Sequence, residues 1–333
     1  TACIVVSILL FRQNQSLKNQ VTDRHADLQA LSEIIEKAGS GSLVTFMQHI
    51  LEELNTAMQS PAYAGINDTL IAKLSALSNS FTPYPYFEAD SISARKISPE
   101  RGQLLIALLL LDIDSVSLQK IKSAVSFSGA NLNGANLAGV DLSGADLRGA
   151  HFKEANLKGA NLNGADMSDA LLLAANLDSA TLISTNLKRA DMRWSRHNFA
   201  QMQAANLNGA LMTNAQFIHT DLYKASLQFA DVSGAIFYKG NLHSADLMGT
   251  TMVKTNFTEA DMDYTNLRLT NPQESIWDNT SLHKATVDSM WMQKMEQWRL
   301  IGKEAILQHY QLANDTADQW NNPLHRLNKK SRN

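Results

Sequence analysis

The chain has 333 residues, room for two or three domains, and its 44% hydrophobic and 18% charged residues are ordinary for folded protein. A formal net charge of -3 points to no strongly acidic or basic partner, and Cys3, the only cysteine, excludes intrachain disulfides and thiolate zinc sites. Thr1 in place of an initiator Met is expected of a fragment or a processed chain.

Residues 1–11, TACIVVSILLF, form an apolar run that stops at Arg12. It is too short to span a hydrocarbon core, which needs about 20 residues. A buried helix or strand and the remainder of a signal sequence are alternatives. The polar run that follows at once favours the exit half of a transmembrane helix, so membrane attachment through this segment is expected. Residues 12–97 read as a helical stalk or connector. Leu10, Leu17, Val21, Leu28, Leu31 and Ile35 recur at spacings of three and four. That seam suits either a coiled coil, which would make a homo-oligomer, or one helix packed on its own domain, and Asn14 and Arg24 interrupt it.

A glycine-serine break at residues 38–42 precedes an amphipathic helix with Leu43, Phe46, Met47, Ile50, Leu51 and Leu54 on one face. A shorter helix carries Leu70, Ile71, Leu74 and Leu77. Pro83 and Pro85 exclude helix around residues 81–86, which read as a loop. Ser98, Pro99 and Glu100 form a helix start, with a capping hydroxyl, proline at the first helical position and an acid at the positive end of the dipole. The helix that follows is apolar nearly all round, so it is buried. With a short helix around Leu118 and Ile121 it makes an N-terminal cap over residues 98–126.

From Phe127 a five-residue beat sets in, FSGANLNGANLAGVDLSGADLRGAHF, and runs through residues 127–288. Every fifth residue is large and apolar: Leu132, Leu137, Leu142, Leu147, Phe152, Leu157 and onward to Leu267, with His197 the one exception. Two residues earlier, from Ala130 to Ala285, each position holds Ala, Ser, Thr, Gly or Val, and between the two lies most often Asn or Asp. A period of five fits neither helix nor strand, so each unit must form one side of a repeating coil, large and small residues inward and polar ones outward.

This pattern resembles the pentapeptide-repeat family, over about half the chain and roughly thirty-four units. The resemblance implies a mainly β fold, a right-handed quadrilateral β-helix with four units per coil. About eight coils at the ~4.8 Å strand spacing make a rod roughly 40 Å long, flanked here by the N-terminal α-helical region. Regularity weakens at Pro272, which lacks a ladder donor, and at Trp277, oversized for an inward position. Residues 289–322 read as a C-terminal helical cap, and the basic run of residues 323–333 as a solvated tail that anionic lipid could contact.

Chemistry is sparse. The chain lacks HExxH, GxxxxGK[ST], GxSxG and a helix-opening GxGxxG, and the nine histidines have no linear metal-ligand spacing, so no catalytic, metal or cofactor residue is assigned. His197, inward within RWSRH, reads either as a packed histidine or as a bulge that re-aims side chains. Residues twenty apart stack on one side of the rod. Sorted so, Arg196, Phe199, Ile218, Ile236 and Tyr238 share one face with His219, and Leu171, Leu173, Trp194 and Leu211 share the next.

An outer surface this apolar marks a protein contact, either with an external partner or with the chain's own helices. Some members of the family imitate DNA and bind type II topoisomerases. That role needs a dense negative surface, whereas Arg148, Lys153, Lys158, Lys188, Arg189, Arg193 and Arg196 offset the acids here, so a DNA-mimic, topoisomerase-binding role is the weaker alternative and no nucleic acid is expected as a partner. The sequence therefore reads as a non-enzymatic, membrane-tethered scaffold for protein-protein interaction.

Overall fold

The structure is a computed structural model that describes residues 41–60, 63–88, 91–315 and 324–330. The expected membrane segment and the stalk seam lie outside the described residues. Among the described residues no helix is long and apolar enough to cross a membrane.

The rod is built from one backbone rule repeated without a break. Isolated parallel bridges pair residues twenty apart from Ser126↔Asp146 to Asn266↔Thr286. Around Leu157, the amide of Leu157 donates to Asn176 O (2.7 Å) and that of Gly159 to Asp178 O (2.9 Å). Asn176 N–H returns to Ala155 O (2.9 Å), and Ala160 N–H closes the turn on Leu157 O (3.0 Å). Each side therefore spends its backbone groups on the coils before and after it, which is how a chain without long strands satisfies them. The residue two after each inward one takes positive φ, 62° at Gly149 and 57° at Arg189, and turns the chain onto the next side.

Four faces result, each with one inward column, and their apolar side chains from Leu142 to Leu267 are fully buried. Face 1 begins at Phe127, face 2 at Leu132, face 3 at Leu137 and face 4 at Leu142. At about 1.5–3 kcal/mol for each large apolar side chain removed from water, this column packing is the main stabilising term. The beat does not weaken at Trp277. Face 3 has by then become aromatic, and Trp277 continues the stack of Phe217, Phe237 and Phe257 with centroid spacings of 4.8, 5.3 and 4.9 Å. Pro272 lies in the last coil, where the turn pattern also continues.

Ahead of the rod run α1 (Gly41–Gln59), α2 (Asp68–Ser80), a hairpin of β1 (Tyr84–Glu88) and β2 (Ser91–Ile97), α3 (Pro99–Leu110) and α4 (Ser115–Ala124). In α1 the buried face is Val44, Met47, Ile50, Leu51 and Leu54. Leu43 and Phe46 are one position off that stripe and stand 39% and 43% exposed, a correction to their expected place in it. The stretch read as a loop is the antiparallel hairpin, shifted in register between Pro85 and Phe87. Both strands of a two-stranded sheet are edges, and a proline whose nitrogen faces solvent costs no ladder bond there.

α3 starts as its sequence dictates, with Ser98 Oγ accepting from Arg101 N–H, and Arg101 to Leu108 are all buried. Ser98 also stands in for a coil that precedes the first: its N–H donates to Gly129 O (2.7 Å) and its carbonyl accepts from Asn131 N–H (3.0 Å). The helix packs so closely on the first coil that a Cβ on Gly102 would lie 2.2 Å from Asn131 O. Buried Arg101 ties the two together, donating to Ser78 O (3.0 Å) and Ser128 O (2.6 Å).

After the rod come β3 (Ala285–Val287), α5 (Trp291–Trp298), α6 (Lys303–His309), β4 (Tyr310–Asp315) and β5 (Leu324–Lys329). Glu274 and Trp277 donate to Trp298 O (2.7 Å) and Ile301 O (2.9 Å), so this segment takes up amides of the last coil. Trp291 meets Trp277 edge to face at 6.2 Å. The segment is not helical throughout. β5, inside the run expected to be solvated, is the central strand of a β3-β5-β4 sheet, and its Leu327 is fully buried. A strand can be recruited there because its ladder uses backbone groups, which a basic sequence does not remove.

Candidate functional site

The outer surface of the middle coils carries large apolar side chains at corners where the early coils have glycine. Trp194 sits at the corner between faces 2 and 3 with φ 62° and Phe199 at the next corner with φ 59°, 62% and 61% exposed respectively. A left-handed conformation costs a non-glycine residue about 1–2 kcal/mol, so large side chains there are held against a local preference. The backbone is not bulged: Arg196↔Gln216 keeps the twenty-residue register through this region.

On face 3, Phe199 stacks on His219 (5.1 Å, 9°), and Tyr238 meets the same imidazole edge-on (6.1 Å, 74°). Tyr238 donates its hydroxyl to Glu259 (3.2 Å), and Lys239 Nζ lies 5.1 Å from the Tyr238 ring centre. Ile218 and Ile236 are half-buried in the same two coils. Arg196 is pinned to Asp178, whose other oxygen takes Asn198 N–H at 2.9 Å. The structure thus brings Phe199 and Tyr238 together through His219.

Face 2 is divided. Leu171 stands in its ladder column between His151 and Asp191, and both of those meet the hairpin: Tyr86 edge-on to His151 at 5.3 Å, Arg95 at 4.0 Å from Asp191. Leu171 and Leu173 are half-buried, whereas Leu211, farther along, is 39% exposed. The chain's own hairpin occupies the early end of this face and leaves the middle coils open.

His197 is a packed residue. Its ring is fully buried and stacked on Phe217 (4.8 Å, 9°), with Nε2 2.8 Å from Ser195 Oγ. Ser195 gives its only proton to Met192 O, so Nε2–H must donate to the serine and Nδ1 is left a buried acceptor without a partner. Burial lowers its pKa to about 3, so the ring is neutral.

Several acids of the rod are paired with arginine. Arg148 holds Asp146 at 2.7 Å, Arg189 holds Asp169 at 2.8 Å and Arg193 holds Asp191 at 2.7 Å. Burial pushes the Asp191 carboxyl up, but the hydrogen bonds and charge of Arg193 outweigh it and leave the pKa below the ordinary value. On outer face 4, His243, Asp261 and Asp263 offer ligand atoms within 4.8 Å of one another. Linear spacing hid this group, and stacking the histidines and acids by twenty would have found it.

Comparison with known proteins agrees with this architecture. The family model for pentapeptide repeats matches in eight copies, over residues 126–164, 155–193, 200–237 and 241–271. The rod belongs to the pentapeptide-repeat family. Its β-helix is accordingly the right-handed one. No curated protein matches the chain.

Among solved structures, the chain is similar to HetL, a pentapeptide repeat protein involved in heterocyst differentiation regulation from the cyanobacterium Nostoc. The identity is 24% over 51% of this chain and 85% of that one, with a TM-score of 0.23. It is also similar to QnrB1, a plasmid-mediated fluoroquinolone resistance protein, at 15% identity over 51% and 96% with a TM-score of 0.32. A pentapeptide repeat protein of the Arabidopsis thaliana thylakoid lumen is 26% identical over 35% and 71%, with a TM-score of 0.22. The pentapeptide-repeat match lapses twice inside the rod, at residues 194–199 and 238–240. Those gaps contain Trp194, Arg196, Phe199 and Tyr238, and also the buried Ser195 and His197.

Proposed function

We propose that this pentapeptide-repeat protein is a non-catalytic scaffold whose rod presents the middle coils of faces 2 and 3 to a protein partner. The observation that carries this reading is the exposure of two large aromatic side chains, Trp194 and Phe199, at successive corners of a backbone that keeps its twenty-residue register. Aromatic side chains on a rigid support lose little entropy on binding, which is why they anchor interfaces.

The filled interior supports the non-enzymatic reading, since substrate pockets need a concave space that these columns occupy. The arginine-paired acids favour a protein-docking surface over imitation of DNA phosphates. The apolar run of residues 1–11 supports tethering of the scaffold to a membrane, and the seam after it supports association of the stalks; both rest on sequence alone.

Capture from detergent-solubilised native membranes with the full-length protein, wild type against Trp194→Glu/Tyr238→Glu, tests the surface. Both residues are exposed or half-buried, so the circular dichroism spectrum should not change. A protein retained by wild type and lost by the double variant is the expected result. An identical set with both would remove faces 2 and 3 as the docking surface.

A further inference from the structure

We propose that outer face 4 of the late coils holds a divalent transition-metal ion on His243, Asp261 and Asp263. The coil supplies the placement. His243 and Asp263 are twenty residues apart and so stand in one column on successive coils, about 4.8 Å apart. Asp261 lies beside Asp263 on the same side, in the ladder column.

One ligand atom of each residue lies within 4.8 Å of the others, and His243 Nδ1 is 3.5 Å from Asp261 Oδ2. Two donors bound to one zinc-sized ion sit roughly 3 Å apart. Small rotations of these side chains would close the difference without moving the backbone.

The oxygens are already sorted. Asp261 Oδ1 accepts Asp263 N–H at 3.0 Å, and Asp263 Oδ1 accepts His283 N–H at 2.7 Å together with the Ser281 hydroxyl. Each carboxylate is thus oriented through one oxygen and keeps the other for a ligand. The His243 ring is held by Tyr223 (5.8 Å, 29°) and Tyr264 (5.2 Å, 46°). Held donors of this kind lose little freedom when a metal arrives.

Charge points the same way. Among the described residues neither Asp261 nor Asp263 pairs with lysine or arginine; Asp221, Asp231 and Asp246 share this, but only Asp261 and Asp263 have an imidazole within reach of both. The nearby ammonium groups lie over rings instead, Lys224 at 5.1 Å from the centre of Tyr223 and Lys284 at 5.5 Å from that of Tyr264. Two adjacent carboxylates therefore lack a counter-cation.

A second imidazole stands one coil farther along the column. His283 Nδ1 is shielded from solvent and has no hydrogen-bond partner, and its ring meets Tyr264 at 6.0 Å. It stands outside the three residues whose ligand atoms come within 4.8 Å of one another. Imidazole with carboxylate suits Zn2+, Ni2+ or Co2+, whereas Mg2+ and Ca2+ prefer oxygen alone.

Isothermal titration of the full-length protein with Zn2+ tests the assignment, with Mg2+ as control. One equivalent of Zn2+ should bind, and His243→Ala or Asp263→Asn should weaken it about tenfold or more, since even the outer-shell partners of a metal are worth about 10–100-fold in affinity. His219→Ala, a surface imidazole outside the group, should leave it unchanged. Co2+ added to wild type should give visible d–d absorption that Asp261→Asn loses, a readout independent of heats. Absence of saturable Zn2+ binding, binding unaffected by His243→Ala, or equal competition by Mg2+ would each overturn the proposal.

Discussion

The first two coils and the six that follow share one hydrogen-bond ladder and differ in almost everything attached to it. Seven of the eight corner residues from Gly129 to Gly164 are glycine, whereas from Asp169 to Lys284 glycine occurs only at Gly209, Gly234 and Gly249. Early outer columns are amide ladders, such as Asn156 to Asn136 (2.9 Å) and Asn161 to Asp141 (3.1 Å). Late ladders persist on faces 1 and 4, as Asn266 to Asp246 (2.9 Å) and Asn241 to Asp221 (2.9 Å) show, but the middle of faces 2 and 3 carries Leu211, Arg196 and Ile236 instead. Inside, face 3 changes from Leu137, Leu157 and Leu177 to His197, Phe217, Phe237, Phe257 and Trp277. The ladder tolerates these changes because it is made of backbone. The early coils are therefore the repeat at its least strained, and the late coils show what the chain adds to it.

The largest effect should come from breaking the aromatic column. Phe237→Ala removes a ring stacked on both sides, at 4.8 Å from Phe217 and 5.3 Å from Phe257. A cost of about 3–5 kcal/mol is expected from the cavity. Stacking terms of about 0.5–1.5 kcal/mol per aromatic pair are lost with it, and no leucine column has them. Because Trp277 links that column to Trp291, amide exchange should quicken from the site through the C-terminal segment. Leu157→Ala, in the early stack, should cost less and stay local. Equal and equally local effects would show that the column is a row of separate side chains.

Next in size is the pH response of His197, which the leucines of the early stack cannot have. Its pKa is lowered to about 3 when folded, against an ordinary value near 6.5 when unfolded. Between those values the unfolded chain binds the extra proton, so stability is full above about pH 6.5 and falls as the pH drops towards 3. At pH 5 the loss amounts to about 2 kcal/mol. His197→Phe, which fits the stack on Phe217, should abolish that part of the slope in urea denaturation at pH 7.5 and pH 5. A variant that loses as much stability as wild type between those two values would place the titration elsewhere.

The rod was legible in the sequence because its period is set by side chains: a wrong residue at Leu157 or Ala160 would leave a hole in a filled column. The hairpin of residues 84–97 and strand β5 were not, because their pairing rests on backbone groups, and Pro85 and the basic stretch around Arg326 carry no alternating signal. Of the proposed docking surface, the aromatic departures could be read by stacking residues twenty apart. That the hairpin meets His151 and Asp191 beside Leu171 could not, since nothing in residues 84–97 names the face they lie on. The cluster at His243 fell between the two, its spacing visible only once the coil length is applied to charged residues.

The smallest effect bears most directly on the contrast at the corners. If late corners carry left-handed strain that early ones avoid, exchanging their residues should move stability in opposite directions. Ala174, exposed with φ 56°, has little side chain to lose, and Gly159, with φ +66°, has nothing within 4 Å of where a Cβ would stand. The left-handed penalty is about 1–2 kcal/mol, and the greater freedom of glycine in the unfolded chain offsets about 0.5–1 kcal/mol of it. Ala174→Gly should therefore stabilise the rod by about 0.5–1 kcal/mol, and Gly159→Ala should destabilise it by as much. Urea midpoints of the two single variants and of the double variant, which should return to wild type, check both signs at once. Destabilisation by Ala174→Gly would mean that the late corners are not strained, and the large residues at Trp194 and Phe199 would then need no compensating role to explain their presence.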